Sequence, residues 1–280
     1  MYTAYITEMQ IIEKFIASKY GEDALCEDGL FINDKFIAVM DGVTAKGEIL
    51  WNNKTSGFHA KEILIKAMEQ LDGKEGASQV LEYLYFQLHK QYNGNEDYFL
   101  KNTAERLRST IVIYSQRHKQ IWCFGDCQFR INGQSFKKEM EIDVLLAEVR
   151  SAYLHSVLIS GKSAEELCLS DPSQEILLPF IRNQLYFSNC DKGGKYEFSV
   201  LDGFCDDFSK VIVADVKAGD TVILASDGYP SLEPSLQESE LFLKELKEKD
   251  PLCIDCYKAG SGFTNGKSSI DDRTYIKFVV

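Results

Sequence analysis

The alternation of apolar and polar positions predicts strand pairs, then helices, then strands again. Residues 30–40 hold two short apolar runs around Asn33-Asp34, a turn pair that typically joins antiparallel strands. Apolar residues recur at helical spacing over 60–71 and again over 80–88, which predicts two helices with one buried face each. Three β-rich segments between residues 110 and 131, separated by short polar turns, predict an antiparallel meander.

In the second half of the chain, the spacing of apolar residues again changes between helical and strand-like. Helical spacing returns over 139–189, with buried positions expected at Val144, Leu145, Val149, Tyr153, Ile176, Leu177, Phe180 and Ile181. Strands are predicted at 196–200, 210–214, 221–225 and 274–280, and an amphipathic surface helix at 236–249. Strands and helices do not alternate as in a parallel doubly wound sheet, so we expect an α+β fold of antiparallel sheets covered by helices.

Composition favours one domain, residues 1–280. With 280 residues, 45% of them hydrophobic, the chain can fill a substantial core. Only five prolines occur, and no Gly/Ser-rich tract, charge block or repeat marks a linker or a repeat array.

The net charge limits the partners. With 43 acidic and 31 basic residues, the chain carries a formal charge of −12, which argues against nucleic acid as a ligand. An acidic protein can still bind an anionic phosphoester when metal ions reverse the local charge. The simpler alternative is that the charge only keeps the protein in solution.

The N-terminal residues do not resemble a secretion signal, because no cationic start is followed by an apolar stretch and a cleavage site. No apolar run approaches membrane-spanning length, so no membrane partner is expected. We therefore predict a cytoplasmic protein whose eight cysteines are reduced thiols.

Three aspartates lie at the edges of apolar, strand-like runs. Asp41 follows FIAVM, Asp227 follows TVILAS, and Asp271 precedes the terminal strand. Asp41 and Asp227 are each followed by a glycine, Gly42 and Gly228, which allows a sharp turn and a close backbone approach. Taken singly, Asp-Gly is a common turn dipeptide. Together, carboxylates from distant strands supply the oxygen ligands that Mg²⁺ and Mn²⁺ prefer.

Other candidate ligands are fewer. Glu22-Asp23 adds two acids upstream of the first strand pair. The four histidines are scattered without zinc-binding spacing, at positions 59, 89, 118 and 155. The sequence therefore indicates a carboxylate site for a hard cation.

An ordered series of motifs resembles the type 2C family of metal-dependent protein phosphatases and spans residues 22–280. In chain order its pieces are Glu22-Asp23, FIAVMDG, Arg108-Ser109-Thr110, Phe124-Gly125-Asp126, ILASDG and Asp271-Asp272-Arg273-Thr274. The resemblance implies an α-β-β-α sandwich of two antiparallel sheets flanked by helices. It also implies hydrolysis of phosphoserine and phosphothreonine in a phosphorylated protein, through water activated by two metal ions.

The resemblance assigns roles to individual residues. Asp41 would bridge two Mg²⁺ or Mn²⁺ ions, and the carbonyl of Gly42 would bind one of them. Asp227 and Asp271 would complete the shell of the other ion. Asp41, Asp227 and Asp271 are thus the expected catalytic set.

The remaining implied ligands are acids as well. Glu22 or Asp23 would face the ion bound by Gly42, directly or through water. Asp126 is similar to the family acid that helps to hold a weaker third ion.

The chain also departs from the family pattern. Lys19 lies near the position where many members carry an arginine that grips the substrate phosphate, and lysine cannot form the same two-pronged contact. The segment after Gly42 lacks the histidine and the Gly-Gly of some relatives, and Asp272 stands where asparagine is common. These changes leave open a catalytically weak, phosphatase-like regulatory or phosphoprotein-binding module. A metal-dependent phosphodiesterase or nuclease would instead be expected to show a basic substrate track.

Two further patterns do not indicate a site. In the stretch Gly260–Ser268, five residues separate Gly260 from Gly266 and a strand follows, whereas a phosphate-binding P-loop has four and precedes a helix. Cys253 and Cys256 have redox-motif spacing without the strand-to-helix context of a thioredoxin.

Overall fold

Two five-stranded antiparallel sheets form the centre of the computed structural model, which describes residues 9–21 and 25–280. The strands in chain order are β1 (Gln10–Ala17), β2 (Gly29–Ile32), β3 (Phe36–Gly42), β4 (Ser109–Ser115), β5 (Gln120–Phe124), β6 (Gln128–Ile131), β7 (Gln134–Phe136), β8 (Ile212–Asp215), β9 (Thr221–Ala225) and β10 (Arg273–Val279). One sheet has the order β1-β10-β9-β6-β7, and the other has the order β2-β3-β4-β5-β8.

Helices flank the sheets and fill the long connections between strands. They are α1 (Ser56–Met68), α2 (Ala77–His89), α3 (Glu96–Lys101), α4 (Glu141–Ile159), α5 (Ala164–Leu169), α6 (Ser173–Gln184) and α7 (Leu236–Lys249). The predicted α+β fold, a sandwich of two antiparallel sheets with flanking helices, is confirmed.

Strand β4 shows how the layers form, because it is buried along its whole length. Val112 and Tyr114 point into the core between the two sheets. Ile111 and Ile113, on the other face, pack into the core that contains residues of α1 and α2. Successive side chains of a strand point to opposite faces, so one apolar run serves two cores.

Several predicted elements are confirmed. The Asn33-Asp34 turn joins β2 to β3, with the side chain of Asn33 accepting from the backbone N–H of Phe36 at 2.7 Å. The two helices after residue 56, the hairpin β4–β5, strand β9 and helix α7 also lie where the pattern predicts them. The predicted three-stranded meander is wrong, because β6 pairs with β7 and β9 in the other sheet. Helix α1 ends at Met68, three residues before Leu71.

Other expectations were wrong. Residues 196–200 do not form a strand, since they contain only an isolated bridge at Phe198. Strand β8 begins at Ile212, two residues later than predicted. Strand β1 was not anticipated, and it pairs with β10 at the other end of the chain.

The buried face of α4 was also assigned wrongly. Val144, Leu145 and Val149 are 44–46% exposed. On α6, Ile176 is 46% exposed and Phe180 is 58% exposed. The buried face of α4 includes Arg150, which is fully buried and donates to Asp171 and to loop carbonyls beyond α7. Apolar periodicity does not reveal a helix face that is buried through a charged residue and its hydrogen bonds.

None of the helices in the described part of the chain combines the length and apolarity needed to span a bilayer.

Candidate metal centre

The predicted aspartates lie at one end of the two sheets. Asp41 is the penultimate residue of β3, opposite Thr110 of β4. Asp227 follows the end of β9 by two residues, and Asp271 precedes the start of β10 by two residues. Because β9 and β10 pair with each other, their ends bring Asp227 and Asp271 to the same edge. All three residues remain partly exposed, so a ligand from solvent can reach the region that they border, which we call the cleft.

The glycines beside these aspartates allow two backbones to approach closely. A Cβ atom at Gly42 would lie 2.5 Å from the carbonyl oxygens of Glu27 and Gly57. At Gly228 it would lie 1.9 Å from the carbonyl oxygen of Asp272. Neither glycine has a positive φ angle. The Asp-Gly pairs are therefore explained by close packing around the site, and any larger residue would push the loops apart.

The carboxylates act strongly on one another. The carboxylate of Asp227 lies close enough to Asp41 to disfavour its ionisation. Burial, followed by the charges of Asp227, Asp28 and Asp126, raises the pKa of Asp41 well above its usual range. Burial and the charges of Asp126 and Asp271 raise the pKa of Asp227 in the same way. These carboxylates repel one another when they are ionised, and a bound cation would relieve the repulsion.

Asp126 is held by the motif that precedes it in the fold. The hydroxyl of Thr110 donates to Asp126 Oδ1 at 2.8 Å. Gly125 has a φ angle of +107°, a conformation that L side chains rarely adopt, and it packs against Thr110. Burial raises the pKa of Asp126. The motifs at 108–110 and 124–126 thus meet at this carboxylate.

Asp28 belongs to the same cluster and was missed from the sequence. Gly29 pairs with Met40 in the β2–β3 hairpin, so Asp28 lies opposite Asp41. Asp28 is 1% exposed, accepts from Thr274 Oγ1 at 2.9 Å, and has a pKa raised to about 7 by burial. If the β2–β3 pairing is continued by one residue beyond Gly29 and Met40, away from the turn, Asp28 falls opposite Asp41 and can be identified from the sequence.

Asp272 organises the backbone around the cleft. Its two carboxylate oxygens accept from the backbone N–H groups of Lys19 at 2.8 Å and Glu27 at 2.6 Å. An asparagine offers only one acceptor oxygen, so it could not replace both bonds. This accounts for the aspartate at a position where the resemblance favours asparagine.

Lys19 is an internal cation next to Asp271. It is 6% exposed, and its ammonium donates to Asp271 Oδ1 and Thr44 Oγ1, both at 2.8 Å. Glu27 Oε2 lies 3.9 Å from the same nitrogen. Burial lowers the pKa of Lys19, but the charges of Asp271, Asp272 and Glu27 outweigh it, so the pKa is raised overall. The Lys19 ammonium is engaged inside the protein, so its predicted contact with a substrate phosphate stays a prediction.

The donor chemistry fits a hard divalent cation at one side of the cleft. Asp41, Asp126 and Asp227 offer carboxylate oxygens that form no salt bridge within the described residues, whereas Asp271 already pairs with Lys19. In residues 9–21 and 25–280, no group of three or more His, Cys, Asp or Glu side chains is preformed for metal binding. The predicted ligands Glu22 and Asp23 lie outside the described residues. The carboxylates would therefore have to close around an ion as it binds.

The two sequence patterns that do not indicate a site, Gly260–Ser268 and the pair Cys253 and Cys256, lie in the described part of the chain. Lys267 Nζ donates to Ser261 Oγ, within the irregular segment that leads into β10. All eight cysteines are free thiols, with Cys253 buried and Cys256 exposed.

Matches to known proteins are confined to solved structures. No family model and no curated protein match the chain. Among solved structures, PppA of Pseudomonas aeruginosa, described as a key regulatory component of T6SS, is 12% identical, with 95% of this chain and 96% of that chain covered and a TM-score of 0.48. The Staphylococcus aureus serine/threonine phosphatase Stp1 is 14% identical, with 96% and 94% covered and a TM-score of 0.47. RsbX in complex with magnesium is 14% identical, with 97% and 98% covered and a TM-score of 0.44.

The fold defines an α+β protein with two stacked antiparallel sheets and a carboxylate-lined cleft at one end. The solved structures that it is similar to include serine/threonine phosphatases, the family that its motifs resemble. No functional conclusion follows from similarity at this level, so function has to be inferred from the residues of the cleft.

Proposed function

We propose that the chain is a metal-dependent phosphatase that hydrolyses phosphoserine and phosphothreonine in a phosphorylated protein. The observation that supports this is the convergence of Asp41, Asp126 and Asp227 at one end of the sandwich, with raised pKa values and no salt bridge to any of the three within the described residues. Holding like charges together is costly unless a cation is bound there for part of the working cycle.

Each of these side chains is positioned by the fold. Pairing of β3 with β4 sets the direction of Asp41, the hydroxyl of Thr110 orients Asp126, and the close contact at Gly228 fixes the loop that carries Asp227. When bound, Mg²⁺ or Mn²⁺ supplies an acidified water and screens the charge of a phosphoryl group. Two ions, or three with Asp126, remain the expectation from the family.

The alternative is a phosphatase-like regulatory or phosphoprotein-binding module. One observation favours it, since Lys19 already neutralises Asp271 and occupies the region expected to hold substrate phosphate. In that case the cleft would bind phosphoprotein without turning it over.

An assay of metal dependence and of mutant additivity tests the proposal. After chelator treatment, the chain should hydrolyse an aryl phosphate and a phosphothreonine peptide only when Mn²⁺ or Mg²⁺ is added back. Asp227→Ala and Asp271→Ala should each raise the Mn²⁺ requirement, and the double variant should lose little more, because ligands of one ion act as a unit. Additive losses would assign the two residues to separate sites, and inert parent protein would favour the binding module.

A further inference from the structure

Arg108 is a buried cation that the described chain does not pair. The residue is 3% exposed, and its Nε and Nη2 atoms have no hydrogen-bond partner among residues 9–21 and 25–280. Its neighbour Arg106 differs, because it donates to the carbonyls of Phe99 and Leu100 and to Asp202 Oδ2 at 3.0 Å. Asp202, the acid near Arg108, is therefore already paired with Arg106.

An unpaired guanidinium in the interior is expensive. Buried donors without acceptors lose their hydrogen bonds to water, and a buried charge needs a counter-charge. Burial lowers the pKa of Arg108 to about 10, so the group is still protonated at neutral pH. These requirements point to an acceptor that comes from outside the described chain.

Arg108 faces a small cavity of about 10 Å³, enough for roughly one water molecule. Thr44, Lys46, Ala104 and Arg106 also line the cavity. Lys46 and Ala104 also line an adjoining groove of about 210 Å³. The cavity and the groove therefore share part of their walls.

The groove contains cations that lack ion pairs. Lys46, Lys101 and Arg182 line it, and none of them forms a salt bridge within the described residues. Of the two acids in the lining, Glu105 accepts from the backbone N–H groups of Glu48 and of the residue after it. The local balance favours an anion, in contrast to the net charge of −12 for the whole chain.

The cavity lies beside the candidate metal centre but is separate from it. The backbone N–H of Val43 donates to the carbonyl of Arg108 at 3.1 Å, one residue beyond the point where Gly42 pairs with Ser109. Thr44, which accepts from the ammonium of Lys19, forms part of the cavity wall. None of the four aspartates discussed as metal ligands in the described chain lines the cavity or the groove.

We propose that Arg108 and Lys46 form an oxyanion-binding pocket that takes an anionic side chain of the substrate next to the phosphorylated residue. A carboxylate or a second phosphoryl group presents the oxygens that a guanidinium binds. The role in substrate choice rests on the proposed phosphatase function, whereas anion binding by the pocket does not.

Thermal unfolding of the metal-free protein tests the pocket itself. The chain is treated with chelator, freed of it by gel filtration, and compared in inorganic phosphate and in chloride at equal ionic strength. Phosphate should stabilise the parent, because a ligand of the folded state raises the unfolding temperature. Arg108→Met should weaken phosphate binding at least about tenfold, yet unfold no earlier than the parent in chloride, because an unpaired buried charge is gone.

Arg117→Met is the matched control, since Arg117 is exposed in the turn at the opposite end of β4. It should keep the full response to phosphate. If Arg108→Met does not fold, Lys46→Met, at a partly exposed position, carries the same test. A parent that phosphate does not stabilise, or variants at 108 and 46 that respond like the parent, would overturn the proposal.

Peptide kinetics separate the pocket from the phosphatase activity. With Mn²⁺ present, phosphothreonine peptides with glutamate beside the phosphoresidue should have a kcat/KM about tenfold above matched glutamine peptides, and Arg108→Met should abolish this preference. An aryl phosphate reports the hydrolytic activity alone. If it is not hydrolysed, the proposed function fails. If it is hydrolysed while both peptides are cleaved equally well, the substrate role of the pocket fails.

Discussion

Replacing Lys19 with methionine should tighten metal binding and weaken the metal-free fold. The substitution removes one charge beside Asp271 while keeping an unbranched side chain. Without metal, Asp271 loses a hydrogen bond from a charged donor, a bond that contributes about 1.5 to 3 kcal/mol, and the buried Glu27 loses an ion-pair partner at 3.9 Å. With metal, the repulsion between the ammonium and the incoming ion disappears.

The distance in the structure sets a lower limit on that repulsion. The Lys19 ammonium lies 2.8 Å from Asp271 Oδ1. A divalent ion bound to the same oxygen at ~2.1 Å would lie within ~5 Å of the nitrogen. At ~5 Å, Coulomb's law gives about 1.7 kcal/mol even with the dielectric constant of water, and more in a partly buried cleft. The Kd for Mn²⁺ should therefore fall at least about tenfold.

Calorimetric titration of chelator-treated protein with Mn²⁺ measures the effect, and thermal unfolding without metal measures the loss of stability. Lys14→Met is the control. Lys14 lies on β1, the strand that ends two residues before Lys19, and it is exposed and forms no ion pair in the described residues. A Lys19→Met variant that binds Mn²⁺ with the parental affinity and stoichiometry, or more weakly, would refute a competition between Lys19 and the metal.

Two further perturbations have defined outcomes. Gly228→Ala should destabilise the protein by about 1 to 3 kcal/mol, since its Cβ would lie 1.9 Å from the carbonyl oxygen of Asp272, whereas Gly260→Ala, with no atom within 4 Å of the new Cβ, should be nearly neutral in the same denaturant titration. Metal-free protein should lose stability as pH rises through about 7, because Asp28, whose folded pKa is about 7 against a usual 3.8, must ionise in the interior. Asp28→Asn should flatten the stability profile between pH 5 and 8, and an unchanged slope in that variant would assign the effect to other groups.

Features set by local sequence were predictable. The β2–β3 hairpin follows from its turn pair and flanking apolar runs, and α7 follows from a regular apolar stripe. The pairing of β1 with β10 joins the two ends of the chain, and nothing in residues 10–17 specifies that partner. The buried face of α4 depends on a loop beyond α7 that satisfies Arg150, so it could not be read from periodicity.

The residues of the candidate site also include some that the sequence predicts and others that only the fold reveals. Asp41, Asp227 and Asp271 were predicted because acids at the edges of strand-like runs are visible in the sequence, and Asp126 was predicted from the family resemblance alone. The fold brings these carboxylates close enough to act on one another. Lys19 contacts an aspartate 252 positions away, a relation that no local pattern contains.

Phosphate release from a phosphothreonine peptide, measured on chelator-treated protein before and after addition of Mn²⁺, decides whether the cleft is a phosphatase centre. We expect no hydrolysis before addition, hydrolysis that saturates with Mn²⁺ afterwards, and a loss of at least about 100-fold in Asp41→Asn, because a neutral amide cannot hold a dication as a carboxylate does. The Asp41→Asn variant should remain folded, since one member of a repulsive cluster is neutralised. Hydrolysis without metal, turnover of Asp41→Asn within tenfold of the parent at saturating Mn²⁺, or a parent that is inert with Mn²⁺ and Mg²⁺ would contradict the proposed function.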